Sequence, residues 1–332
     1  MTVTAAPFSI VEDLASLPAH LKGSVVAIGN FDGVHRGHRA VLQAAIDEAH
    51  GHGRPVIAMT FEPHPRAVFT PHVPLFRLTP AHAKAEIMQA LGLDGLIVLP
   101  FTRDFASVEA ERFVEEILIG ALGIRHAVTG YDFHFGKGRA GTPDFLRASG
   151  EKHGFGVTIV TAENDEGGEV ISSSRIRAAL AEGDLAQANG LLGYRWFAEA
   201  EVRHGEKRGR DLGYPTANLR LPDECTLKHG IYAVRVEVDG QRHDGVASFG
   251  RRPTFDNGAP LLEVFLFDFS GDLYGKTLRV RFVSYLRPEE RFDSIEALIA
   301  QMDRDSAEAR AALASMQPLS ALDLALGAVP LT

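Results

Sequence analysis

Short, continuously apolar runs alternate with amphipathic stretches through the first half of the chain. Aliphatic residues fill positions 25–28, 56–59 and 96–99 and, with one threonine in each, dominate 127–129 and 157–160, and each run leads through a loop into a segment with helical spacing. A strand that is apolar on both faces needs cover on both, which flanking helices supply. Helices are predicted over 40–49, after Thr79 and Pro80, over 107–119, after Thr142 and Pro143, and from Ser172 or Ser173 onward, where hydroxyl caps and first-turn prolines mark the starts. This rhythm predicts a doubly wound parallel sheet whose ligands lie beyond the carboxyl ends of its strands.

After Gly190 the period changes. Val234, Val236 and Val238 alternate with Arg235 and Glu237, and Leu278, Val280 and Phe282 alternate with Arg279 and Arg281. Period two marks half-buried strands, and Gly, Pro, Asp and Asn clusters separate these runs without a helix between them. An antiparallel barrel or sandwich is expected. Ile295, Leu298, Ile299 and Met302 then fall on one face of a terminal helix, expected to cover an open end of the barrel. The expected organisation is an α/β domain over 1–186, a β domain over 187–316 and a tail over 317–332 whose only charge is Asp323.

The bulk properties narrow the setting. The 332 residues suffice for two cores, and 45% hydrophobic with 23% charged residues is ordinary globular usage. A net charge of −9 disfavours a surface devoted to nucleic acid or anionic membrane, so neither partner is expected. Cys225 is the only cysteine, which excludes an intramolecular disulfide and a CxxC site. Residues 1–20 show no secretory pattern, and no apolar run reaches the roughly 18 residues of a spanning helix. A cytoplasmic location is expected, and weak self-association is left open.

The first strand runs into 29–38, GNFDGVHRGH, with three glycines, at the start of a helix. Such a loop lets backbone N–H groups approach an anion, and the helix N-terminus adds partial positive charge. His35 and His38 could donate hydrogen bonds to an α-phosphate under attack. A turn with incidental histidines, or a partial zinc site without a third ligand, would read the same way locally. Ser172, Ser173, Ser174, Arg175 and Arg177 open the last helix of the domain, where hydroxyls and fixed cations could clamp a triphosphate; a plain N-cap with surface arginines is the alternative.

In the second domain, 205–218 reads GEKRGRDLGYPTAN. Thr216 and Asn218 would project to one side of an extended chain, where a hydroxyl and an amide oxygen could complete a magnesium shell shared with phosphate oxygens. Lys207, Arg208 or Arg210 could hold the phosphates, unless the segment is only a surface hairpin. Glu263 interrupts the apolar run LLEVFLF; either it pairs with a cation such as Arg281 or it serves as a general base. The run GDLYGKT at 271–277 has three residues before GK and precedes a strand, so it reads as a hairpin turn and not a P-loop.

Taken together, the motifs of the first domain resemble those of HxGH nucleotidyltransferases, most closely the FMN adenylyltransferase module of bifunctional bacterial FAD synthetases. HxGH also resembles the HIGH motif of class I aminoacyl-tRNA synthetases, but no KMSK-type lysine loop is present. The resemblance implies a Rossmann-like domain in which Gly29, Phe31, Asp32, Gly33, His35 and His38 meet ATP or FMN. It also implies that Asp132 lies beside nucleotide and flavin, and that Ser172, Ser173, Ser174 and Arg177 bind triphosphate; Ser174 replaces a commoner threonine. GRDLGYPTAN, GIYA at 230–233, GRRPTF at 250–255, Glu263 and LYGK at 273–276 resemble the riboflavin kinase module, a β-barrel with a terminal helix. By that likeness Gly205, Gly209, Arg210, Gly213 and Pro215 bind ATP, Thr216 and Asn218 hold Mg2+ with the nucleotide, and Glu263 activates the ribityl hydroxyl. Phe265 stands where a polar residue is often found. The resemblance implies a bifunctional enzyme using riboflavin, FMN and ATP, with FAD as product; a one-activity relative and a non-catalytic nucleotide-binding module are the alternatives.

Overall fold

A computed structural model of the chain describes residues 7–204, 214–251 and 260–327. Its contacts divide it into two compact units, Met1–Ser173 and Ser174–Thr332.

The first unit is built on strands β1 (Ser9–Val11), β2 (Val25–Ile28), β3 (Val56–Glu62), β4 (Gly95–Pro100), β5 (His126–Gly130) and β6 (Gly156–Val160). They form one sheet in the order β1-β4-β3-β2-β5-β6, with every pairing parallel. All four residues of β2 are buried, as the unbroken apolar run requires. The helices are α1 (Arg36–Gly51), α2 (Pro65–Phe69), α3 (Ala81–Ala90), α4 (Ala110–Arg112), which continues as a π-helix over Phe113–Ala121, and α5 (Pro143–His153). Thr142 caps α5, its Oγ1 accepting from the Phe145 N–H at 3.1 Å. The edge strand β1 was not foreseen: three residues are too few to show a period, and they gain strand geometry only by pairing with β4. The strand order reverses between β2 and β5, so the loops after those strands flank the crevice where such sheets hold ligands.

The second unit contains the residues of α6 (Ser173–Glu182) from 174 onward, α7 (Leu185–Leu192) and a closed barrel. Strands β7 (Phe197–Arg203), β8 (Thr216–Arg220), β9 (Gly230–Val238), β10 (Gln241–Arg251), β11 (Pro260–Leu266) and β12 (Thr277–Arg287) close in the order β10-β11-β8-β7-β12-β9. Neighbours are antiparallel, and Val234 and Val236 stand opposite Phe282 and Val280, all four buried. The strand β9 is buried on both faces and not on one, because α8 (Ile295–Ala314) covers its outer side. There Ala309 and Leu313 pack on Ala233 and Phe267.

That helix therefore packs on the barrel wall and does not cap an open end as expected. Its buried face is Asp305, Ala309 and Leu313, while Ile295 is 59% exposed. The barrel interior is filled by its own Val234, Val264, Val280 and Phe282, so the apolar area needing cover lies on the wall. The tail forms α9 (Ala321–Ala325), anchored by a carboxylate. Asp323 is 1% exposed; its Oδ1 accepts from the Arg195 N–H at 2.9 Å and its Oδ2 pairs with the Arg195 guanidinium. Arg195 Nη2 also donates to the Gln317 carbonyl at 2.8 Å, and the buried Arg281 reaches the Leu326 carbonyl. Among the described residues, no helix is long and apolar enough to cross a membrane.

Two candidate phosphate sites

In the first unit the chain leaves β2 through a tight loop before α1. Gly33 sits at φ +90°, a region that favours glycine, and Phe31 and Val34 adopt positive φ as well, with both side chains fully buried. Contacts from below hold this conformation. Asp32 is turned inward, its Oδ1 accepting from the N–H groups of Leu78 and Thr79 at 3.0 and 3.2 Å. Thr79 Oγ1 accepts from the Gly33 N–H at 2.8 Å, so this threonine braces the loop, and Pro80 occupies the cap position of α3. From the other side Ser173 Oγ donates to the Asp32 carbonyl at 2.8 Å, which brings this serine to the glycine loop.

His35 is the N-cap of α1, and its Nδ1 accepts from the His38 N–H at 3.2 Å. That bond requires an unprotonated Nδ1, so the neutral ring carries its proton on Nε2, as a donor. The two imidazoles stack with centroids 3.6 Å apart, and the Phe31 ring meets His38 edge-on at 5.4 Å. A Cβ on Gly37 would stand 3.3 Å from the His35 ring, so glycine there leaves room for the stack. Burial, then His35 and Lys84, holds the His38 pKa well below its ordinary 6.5, and its buried Nδ1 has no hydrogen-bond partner among the described residues. In the first turn of the helix, the N–H groups of Arg36 and Gly37 belong to the set an α-helix leaves unsatisfied.

Beneath the loop lies a charge network that sequence reasoning missed. Arg77 grips Glu62 through two bonds of 2.6 and 2.5 Å, and the buried Lys84 lies 3.3 Å from the same carboxylate. Burial alone would raise the Glu62 pKa, but Arg77 and Lys84 outweigh it and leave it lowered. A signal existed: Lys84 occupies the apolar stripe of α3 with Ile87 and Met88, at helical spacing, where a hydrocarbon is expected.

The carboxyl ends of β3, β4 and β5 add aromatic rings. Phe61 lies 6.0 Å from Phe101 and 5.9 Å from Phe105, and Phe133 stacks on Phe135 at 5.5 Å. Asp132, in the same loop, is exposed, and its carbonyl accepts from His134 Nδ1 at 2.8 Å. Ser172 and Ser173 belong to this unit, whereas Ser174 and Arg177 follow in α6 beyond the unit boundary.

In the barrel, pairing of β8 with β11 sets Asn218 opposite Glu263 and Thr216 opposite Phe265. Directly paired residues face the same way, and residues two apart share a face, so Thr216, Asn218 and Glu263 stand together on the outer wall. Their neighbours Ala217, Leu262 and Val264 are buried within. Ser248 of β10 and Arg203 of β7 extend the row on either side, opposite Glu263 and Asn218. Pro215 is exposed at the start of β8, and the Tyr214 ring packs 4.8 Å from Phe265 while its hydroxyl bonds the Asp303 carboxylate.

The structural alternative for Glu263 fails in one respect: Arg281 pairs with Glu237 at 3.1 Å and not with Glu263. The two lie on strands that are not neighbours in the barrel, a separation the linear sequence conceals. The GDLYGKT segment is a turn before β12, with Tyr274 N–H bonded to Asp272 at 3.0 Å and Lys276 paired to Asp239 at 2.7 Å. Gly205, Lys207, Arg208, Gly209, Arg210 and Gly213, with Arg252, Pro253, Thr254 and Phe255, lie outside the described residues. No cluster of three or more His, Cys, Asp or Glu suited to a metal occurs among the described residues. A cation at Thr216 and Asn218 would thus need most of its ligands from phosphate and water, the usual arrangement for magnesium.

Comparisons with known proteins agree with this division. Residues 17–175 match the FAD synthetase family and residues 192–313 the riboflavin kinase family. Over 304 residues the chain is 43% identical to the bifunctional riboflavin kinase/FMN adenylyltransferase of Pseudomonas fluorescens, covering 91% of this chain and 97% of that protein. The protein of the same description from Listeria monocytogenes is 40% identical over 299 residues, covering 88% and 93%. Among solved structures, the macrolide-efflux protein from Streptococcus pneumoniae superposes with a TM-score of 0.81 at 32% identity, covering 91% of this chain and 98% of that one.

Proposed function

The chain belongs to the bifunctional riboflavin kinase/FMN adenylyltransferase family, and from this premise we propose how its two units divide the chemistry. The enzyme phosphorylates riboflavin to FMN with ATP and adenylylates FMN with a second ATP, giving FAD and pyrophosphate. We assign adenylyl transfer to residues 1–186 and phosphoryl transfer to 187–316, a partition supported by the two family matches. Riboflavin, FMN, FAD and ATP are its small-molecule partners. The cytoplasm is its proposed location, in keeping with a sequence whose single cysteine can form no intramolecular disulfide.

The observation that carries the kinase reading is the register that sets Glu263 beside Asn218 and Thr216 on one face. Glu263 accepts the proton of the ribityl 5′-hydroxyl as that oxygen bonds the γ-phosphorus of ATP and the bond to ADP breaks. Thr216 and Asn218 hold Mg2+, which when bound neutralises charge on the phosphates. Gly205, Gly209, Arg210, Gly213 and Pro215 complete the nucleotide site.

In the other unit a phosphate oxygen of FMN attacks the α-phosphorus of ATP and pyrophosphate leaves, without a covalent enzyme intermediate. His35, through Nε2–H, and His38 donate to phosphate oxygens, with Gly29, Phe31 and Gly33 shaping the cradle and Asp32 bracing it. Ser172, Ser173, Ser174 and Arg177 hold the triphosphate, Asp132 lies beside the ligands, and Phe61, Phe101, Phe105 and Phe133 offer an aromatic bed for the isoalloxazine ring. Incubation with riboflavin, ATP and Mg2+, followed by chromatography, is expected to show FMN and then FAD. Absence of both products would end this reading.

A further inference from the structure

Lys84 lies beneath the phosphate loop and takes no part in the chemistry above. It is 1% exposed, and its Nζ donates to the Asn30 carbonyl at 2.9 Å and Thr60 Oγ1 at 3.0 Å and lies 3.3 Å from Glu62 Oε1. Thr60 Oγ1 donates to the same Asn30 carbonyl at 2.9 Å. Burying an ammonium is costly even when it is paired, and burial lowers the Lys84 pKa although Glu62 opposes the shift. A hydrocarbon would occupy this place in α3 without that cost, as Ile87 and Met88 do one turn on. The ammonium differs from them in having donors directed at the loop backbone.

Those donors set the direction of a peptide. In a trans peptide the carbonyl and the following N–H point opposite ways, so drawing the Asn30 carbonyl downward turns the Phe31 N–H away from the protein interior. Phe31 is at φ +48°, a strained conformation for a non-glycine residue that persists only where the surroundings impose it. We infer that Lys84 is a positioning residue for adenylyl transfer, pinning the Asn30–Phe31 peptide so that its N–H faces the ATP phosphates and holding fixed positive charge behind them. This inference rests on the adenylyl-transfer reading of the glycine loop.

The groups around His38 give an independent readout. His35 stacks on it, Phe31 meets it edge-on, and Lys84 acts on it from α3, while Glu62 at the end of β3, Arg77 before α3 and Asp32 in the loop complete the charges there. Removing the lysine charge leaves Glu62 in excess, so the His38 imidazole must bind its proton more tightly.

In the full-length Lys84→Met chain, kcat for FAD formation from supplied FMN and ATP is expected to fall about ten- to a hundred-fold, with a smaller change in KM for ATP. Riboflavin phosphorylation by the same chain should stay within about two-fold, and His38, followed by NMR, should titrate higher than in the wild type. Lys84→Arg, which keeps the charge, should leave the His38 titration near wild type and recover part of the rate. A folded Lys84→Met enzyme with kcat within about two-fold of wild type, or with an unmoved His38, overturns the inference. If Lys84→Met does not fold, Lys84→Gln carries the test: it removes the charge and shortens the reach to the Asn30 carbonyl while keeping a polar end, and an unchanged kcat with an unmoved His38 there overturns the inference equally. A wild-type protein that forms no FAD from FMN and ATP fails the adenylyl-transfer reading itself, an outcome distinct from either variant result.

Discussion

In the parallel-sheet unit the charges nearest the candidate site, Asp32, Glu62, Arg77 and Lys84, are packed under a loop, with Glu62 held by Arg77 and Lys84 and Asp32 by backbone N–H groups. In the barrel unit, Thr216, Asn218 and Glu263 stand half-buried on an outer wall, ordered by the register of two strands. One unit shapes backbone with hidden charge, and the other presents side chains on a ready-made ladder. The difference teaches where each is vulnerable: the loop to any change in its underpinning, the wall to loss of a single presented group.

The sharpest test separates the two chemistries. Glu263→Gln is expected to lower riboflavin phosphorylation about 10²- to 10⁴-fold while FAD formation from supplied FMN continues, and His38→Ala to do the reverse. Rates of FMN and FAD appearance decide it, and loss of both activities in either variant would erase the contrast. Next in size is a change in the barrel unit alone. Asp323→Asn leaves the buried Arg195 without its counter-charge and should cost about 3–5 kcal/mol in denaturant unfolding of that unit, with FAD formation from FMN retained. Removing part of the wall without breaking it is milder. Asn218→Ala should raise the Mg2+ concentration needed for half-maximal kinase rate about ten-fold, and chelation of Mg2+ should stop FMN formation.

The smallest effect is electrostatic and belongs to the sheet unit. His38 has a folded pKa well below 6.5, so below that pH the unfolded chain binds a proton that the folded one refuses. Stability contributed by the neutral ring is therefore complete above 6.5 and is lost as pH falls from there toward the folded pKa. Glu62, lowered from 4.5, adds stability above that value, lost as pH falls through its folded pKa. Thermal unfolding between about pH 7 and 5 should show the first slope, and His38→Gln should flatten it.

Much of this was legible along the chain. The apolar runs that became β2 to β5 are buried on both faces, whereas β6, at the sheet edge, is only half-buried, and the alternating valines of β9 do meet Val280 and Phe282 inside the barrel. Thr216 and Asn218 were expected to share a side, and pairing adds Glu263 to it. What stayed hidden depends on distant partners. Nothing near Asp323 announces Arg195, and the packing face of α8 is set by alanine and leucine late in the helix because a helix residue's burial depends on the wall it meets. The apolar residues at its start, which carry the clearer period, meet less of that wall.

The Arg195–Asp323 clasp also bears on the order in which the molecule can be completed during translation. Glu62 finds Arg77 after 15 further residues and Lys84 after 22, so the charge network of the first unit can close early in synthesis. Arg195 must wait 128 residues for its counter-ion. A ribosome therefore releases a nascent chain whose adenylylating half can already be mature while its kinase half still lacks the last clasp, the state in which chaperones or proteases would meet it.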